Sequence, residues 1–91
     1  MFALTRCKVL AGISEVVGRI AGKVKEAWLS NVEFEDFGQF VRSFEEERGR
    51  CARLEFVGST ARKNRKDILE MKERMGWRVE KDTDNEIIIV N

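Results

Sequence analysis

Four cations fall within five residues in the stretch Gly58-Ser59-Thr60-Ala61-Arg62-Lys63-Asn64-Arg65-Lys66. The Gly-Ser-Thr opening reads as a turn with Ser59 or Thr60 as a helix N-cap. That places Arg62, Lys63, Arg65 and Lys66 at a helix N-terminus, where free backbone N–H groups favour anions. A helix dipole disfavours bases in its first turn, so a bound phosphate is the natural compensation. Arg50 and Arg53, on the strand before, extend the patch. The chemistry implied is contact with nucleic-acid phosphates, salt-sensitive and indifferent to sequence. No aromatic residue is interleaved with the bases, so base stacking is not part of it. The opposing reading is a solvated helix end, with Asp67 and Glu70 offsetting the bases locally.

Other chemistry is thinly supplied. Histidine is absent, which removes the commonest general base and a common zinc ligand. Cys7 and Cys51 are the only cysteines; they form no CxxC pair and read as two reduced thiols. Arg50 and Arg53 beside Cys51 would lower a thiol pKa, but a cysteine without histidine is read here as packed rather than catalytic. The acidic run Glu45-Glu46-Glu47 reads as a solvated face or as a patch for a basic partner. No catalytic residue, metal site or cofactor is expected, and the chain is read as a non-enzyme.

The elements that hold these residues follow from periodicity. Residues 4–29 read as one long amphipathic helix: Leu10, Ile13, Val17, Ile20, Val24 and Ala27 follow three–four spacing, and Val16, Ala21 and Trp28 widen the stripe. Ala11, Ser14, Gly18 and Gly22 line one flank, and glycine lowers helicity by about 1 kcal/mol relative to alanine. Their retention implies close approach of another backbone there. The stripe is read as a core face, with a dimer seam and a membrane-surface helix as rivals. Val32–Phe34 reads as a short edge strand. Phe37, Phe40, Val41 and Phe44 mark a helix over 36–48, stopped by Gly49. Arg50–Val57 alternates as a half-buried strand. Residues 61–75 form a third helix with Ala61, Ile68, Met71 and Met75 inward. Trp77–Asp82 and Glu86–Val90 form a hairpin about Thr83-Asp84-Asn85. The unbroken Ile87–Val90 run reads as an interior strand covered on both faces, the second cover being the N-terminal helix or a second subunit.

Two family resemblances attach to particular stretches. Val32–Arg42, with Phe37-Gly38-Gln39-Phe40 inside it, resembles the strand opening the arms of bacterial histone-like DNA-binding proteins. The Asn-Pro arm tip of that family is absent. Strand order, and the stretch from Lys66-Asp67-Ile68 through Gly76 to the final hairpin, look like the small sulfur-carrier family. That resemblance implies a β-α-β-α-β-β fold and a persulfide cysteine in a Cys-Pro-x-Pro motif. The matching place, Ser30–Asp36, holds neither cysteine nor proline, so the carrier chemistry does not transfer and the fold analogy remains.

The expectation is therefore one α+β domain over residues 1–91: a long N-terminal helix over 1–30, then a β-α-β-α-β-β two-layer sandwich over 31–91 with a C-terminal hairpin. Net charge is +1, which leaves no global field for polyanions. A core this thin favours a homodimer. Nucleic acid and another protein are the further expected partners. No run reaches transmembrane length, and the chain reads as cytoplasmic. A single glutamine beside many Glu, Lys and Arg is a thermophile's balance.

Overall fold

The chain opens on a strand, not a helix. The structure is a computed structural model that describes residues 1–91. In Phe2–Thr5 (β1), burial alternates along the strand. A two-residue strand, Lys8–Val9 (β2), leads into a helix at Ala11–Lys23 (α1). The backbone is already extended at Val24, and Glu26–Ser30 (β3) follows with Ala27 and Leu29 buried and Trp28 exposed. The expected helix over 4–29 is thus corrected to strand, strand, helix, strand. Phe2/Leu4 and Ala27/Leu29 have a period of two, but each short segment also fits a helical stripe that continues through α1.

The rest follows the expected order with shifted bounds: Glu33–Phe34 (β4), Phe37–Glu47 (α2), a 3-10 turn at Arg48–Arg50, Arg53–Val57 (β5), Ser59–Met75 (α3), Arg78–Thr83 (β6) and Glu86–Val90 (β7). The Asp36 carboxylate caps α2 by accepting from the Gln39 N–H at 3.2 Å. Gly76, left-handed at φ 71°, closes α3. The expected Ser59 or Thr60 cap on α3 is replaced. Gly58 holds that position at φ 66° without a side-chain cap, and the Asn31 side chain reaches across to accept from the Ser59 N–H at 3.1 Å.

The main sheet has the order β1-β3-β5-β7-β6, with β1, β3 and β5 parallel and the last two strands antiparallel. The expected β-α-β-α-β-β arrangement is corrected at its first strand: that place in the main sheet is taken by β3, while the Val32–Phe34 segment read as its edge strand lies outside it as β4, and one more strand-helix unit stands in front. The three parallel strands are each followed by a residue of positive φ: Arg6 (51°), Asn31 (53°) and Gly58 (66°). The next backbone hydrogen bonds repeat across units. Arg6 N–H donates to the Ser30 carbonyl at 3.0 Å, and Asn31 N–H to that of Val57 at 3.0 Å. After the turn, β2 and β4 pair as a second, two-stranded parallel sheet.

A single core lies between the main sheet and the helices. It joins Val17 and Ala21 of α1, Phe40 and Phe44 of α2, and Ile68 and Met71 of α3 to Leu29, Leu54, Phe56, Ile87 and Ile89. Phe40 is its centre, with ring centroids 5.3 Å from Phe37, 6.0 Å from Phe44 and 6.3 Å from Phe56. The other sheet face carries no helix. The expected second cover for Ile87–Val90 is therefore corrected. Ile88 stands on the bare face in register between Glu55 and Lys81 and is nevertheless buried, shielded by its own strand neighbours.

Candidate interaction surfaces

The cations of the basic segment have different surroundings. Arg62 donates to the Asn85 side chain at 2.6 Å. Arg65 pairs with Asp82 and donates to the Thr83 carbonyl at 3.3 Å. These two arginines thus pin α3 to the β6–β7 hairpin. Arg53 is paired with Glu80 and lies 3.8 Å from Glu55. Thr60 is fully buried, and its hydroxyl accepts from the Val32 N–H at 2.8 Å and donates to the Val32 carbonyl at 3.3 Å. It closes the backbone of the preceding unit and does not face solvent. Ser59 is half-buried at the turn, while Lys63, Lys66 and Arg50 are exposed and form no ion pair. Asn64 leaves helical geometry (φ −119°) and its amide donates to the Thr60 carbonyl at 3.0 Å, a local break between the two lysines. Arg6, assigned by periodicity to a helix, instead follows β1 beside Asn31 at the strand ends. No sequence pattern marks that position.

Cys7 and Cys51 are free. Burial pushes the Cys51 thiol up, partly opposed by a backbone hydrogen bond at Arg53 and reinforced by the Glu26 charge. The raised value overrides the lowering that Arg50 and Arg53 were expected to exert, and it disfavours the reactive thiolate at neutral pH. No group of three or more His, Cys, Asp or Glu side chains comes together to hold a metal ion. No helix is long and apolar enough to cross a membrane.

Two clefts remain. One, of about 250 Å³, lies between α1 and α2, where the Gln39 Oε1 is buried without a partner beside Arg42 and Glu46. The other, of about 440 Å³, lies on the bare sheet face against Trp28, Glu55, Val57 and Glu86. Its carboxylates are already engaged, Glu86 by Lys81 at 2.7 Å and Glu55 by Arg53.

The most distinctive surface is on α1. Its small flank faces α2: a Cβ at Gly18 would lie 2.6 Å from the Phe40 carbonyl, and one at Gly22 2.8 Å from the Glu47 backbone. This is the close approach expected of that flank. With Gly18 and Gly22 turned to α2, the aliphatic stripe points about 170° away from it, at 100° per residue. Leu10 (53%), Ile13 (54%), Val16 (46%) and Ile20 (40%) are exposed there. They are four of the chain's seven large exposed hydrophobics, so the apolar exposure is concentrated and not scattered. Beside them β1 is an edge strand. Comparison of the chain with protein-family models, curated proteins and solved structures finds no match.

Proposed function

We propose that this chain is a non-enzymatic protein-interaction module that self-associates through its N-terminal strand-helix unit. The observation that carries the reading is the α1 stripe, exposed on the flank opposite α2 and continuous with the β1 edge. The strand segments Phe2-x-Leu4-x-x-Cys7-x-Val9 and Ala27-x-Leu29-x-x-Val32-x-Phe34 are similar in spacing to the strand part of leucine-rich repeats. In stacked units of this kind, each apolar flank is covered by the next unit, and an end left bare needs a cap. The β6–β7 hairpin supplies one at the far end. The flank of α1 opposite α2 is exposed, and a second copy would cover it.

The test is the concentration dependence of thermal unfolding. The wild-type Tm is expected to rise with protein concentration, as mass action requires of an associating protein. Ile13→Glu/Ile20→Glu is expected to abolish that dependence while leaving the far-UV spectrum unchanged. A wild-type Tm independent of concentration would remove the reading.

A second reading keeps nucleic acid as a partner, favoured by the exposed, unpaired Lys63 and Lys66 near the α3 N-terminus. It predicts fluorescence anisotropy binding of DNA or RNA that falls steeply between roughly 50 and 200 mM salt. Lys63→Glu/Lys66→Glu is expected to eliminate it. Absence of binding at the lower salt would reduce the segment to a solvated helix end.

A further inference from the structure

The two edges of the main sheet are unlike. β6 is guarded in the usual way for an open edge. It carries Arg78, Glu80, Lys81 and Asp82, and its pairing with β7 is irregular between Val79 and Lys81. β1, the other edge, reads Phe2-Ala3-Leu4-Thr5. It has no charge, no proline and no break in its register with β3.

The direction of its free hydrogen-bonding groups can be assigned. Arg6 turns its N–H inward to the Ser30 carbonyl. Backbone groups alternate sides along a strand, so Ala3 and Thr5 direct their N–H and C=O outward from the sheet edge. Phe2 and Leu4 share the helix-covered face with Ala27, Leu29, Leu54 and Phe56 by register, and Ala3 lies on the bare face.

We propose that two copies of this chain join β1 to β1 antiparallel, about a two-fold axis through Ala3, into one ten-stranded sheet with α1 packed against α1 of the second copy. This rests on the self-association reading above and names its geometry. A two-fold perpendicular to the sheet keeps both helix layers on one face, so paired residues must have the same parity. Centring on Ala3 satisfies this: Phe2 opposes Leu4 of the second copy, Met1 opposes Thr5, and Ala3 opposes itself with both outward groups bonded. The second copy is favoured over an unrelated protein because one operation serves both features at once. It pairs the unguarded edge and brings the two aliphatic stripes together, Ile13 facing Ile20 of the other copy. Strands about 4.8 Å apart leave the flanking helices the 8–10 Å that helix packing takes.

Ala3→Cys tests the geometry. A directly opposed, hydrogen-bonded pair has Cα atoms about 5.5 Å apart, within the range a disulfide spans. Mild oxidation of the dimer is expected to link two Met1–Arg6 tryptic peptides through residue 3, a fragment that excludes the native Cys7. Ala3→Pro removes an outward N–H that the protomer does not use, and edge strands tolerate proline there. It is expected to weaken association by about tenfold or more with the far-UV spectrum retained. A dimer by mass that forms no residue-3 link and is indifferent to Ala3→Pro would overturn the β1 pairing and leave self-association standing. A monomer by mass would overturn both.

Discussion

Several of the residues that matter most here hold backbone groups of other units. Thr60 satisfies the N–H of Val32, 28 residues away, in a fully buried place. Thr60→Val should cost about 1–3 kcal/mol in denaturant unfolding, because it leaves that N–H unsatisfied. Thr60→Ser, which keeps the hydroxyl, should restore most of it. Gly18→Ala should cost a similar amount, about 1–3 kcal/mol, since the added methyl meets the Ser43 side chain and the Phe40 carbonyl in a packed helix contact. Cys51 yields a prediction in both reactivity and stability. Burial raises its pKa above 9.0, so its alkylation by iodoacetamide at neutral pH should lag that of Cys7 by about tenfold or more, read by mass spectrometry. A thiol with a raised folded pKa contributes stability that is fully present below the unfolded value and lost as pH rises through the folded one. Cys51→Ala should therefore flatten part of any stability loss above pH 9.0.

At the scale of elements, the sequence was most legible where segments are long or strongly patterned. The four-residue spacing through Phe44, the stop at Gly76 and the Ile87–Val90 run placed α2, the end of α3 and the interior strand. Three strands, β1, β2 and β3, are hidden from the periodicity, because segments of five or fewer residues cannot compete with a helical stripe that runs through them. The glycine flank of α1 was read correctly as a close approach. The stripe itself divides: Val17, Ala21 and Ala27 lie in the core, whereas Leu10, Ile13, Val16, Ile20 and Trp28 are exposed. Packing of Gly18 and Gly22 against α2 fixes the rotation of the helix and turns the bulkier residues outward. The candidate phosphate site was legible as composition only, since sequence cannot show that Arg62 and Arg65 are taken up by the hairpin. The rotation of α1 makes a sharp prediction. Ile13→Asp, on the exposed stripe, should change protomer stability by no more than about 0.5 kcal/mol. Val17→Asp, one turn on but 6% exposed, should abolish folding by burying an unpaired charge, as judged by circular dichroism.

At the scale of the whole molecule, the chain is a two-layer sandwich built by repetition: a strand, a turn of positive φ and a helix, three times over, closed at one end by a hairpin. Charge is spread to match. The guarded end carries the ion pairs Arg53–Glu80, Arg65–Asp82 and Lys81–Glu86, whereas β1 carries no charge and the aliphatic stripe of α1 interposes none. A radius of gyration of 11.3 Å is close to the roughly 12 Å expected of one compact unit of this length. Small domains bury too little surface for ample stability, and association at the bare flank would add to the core. The measurement that decides this is the solution mass by light scattering at about 100 μM, a concentration that detects even micromolar affinity. The account predicts a wild-type mass about twice the 10.5 kDa of one chain, falling to a single chain in Ile13→Glu/Ile20→Glu. A wild-type mass of 10.5 kDa under those conditions would contradict it.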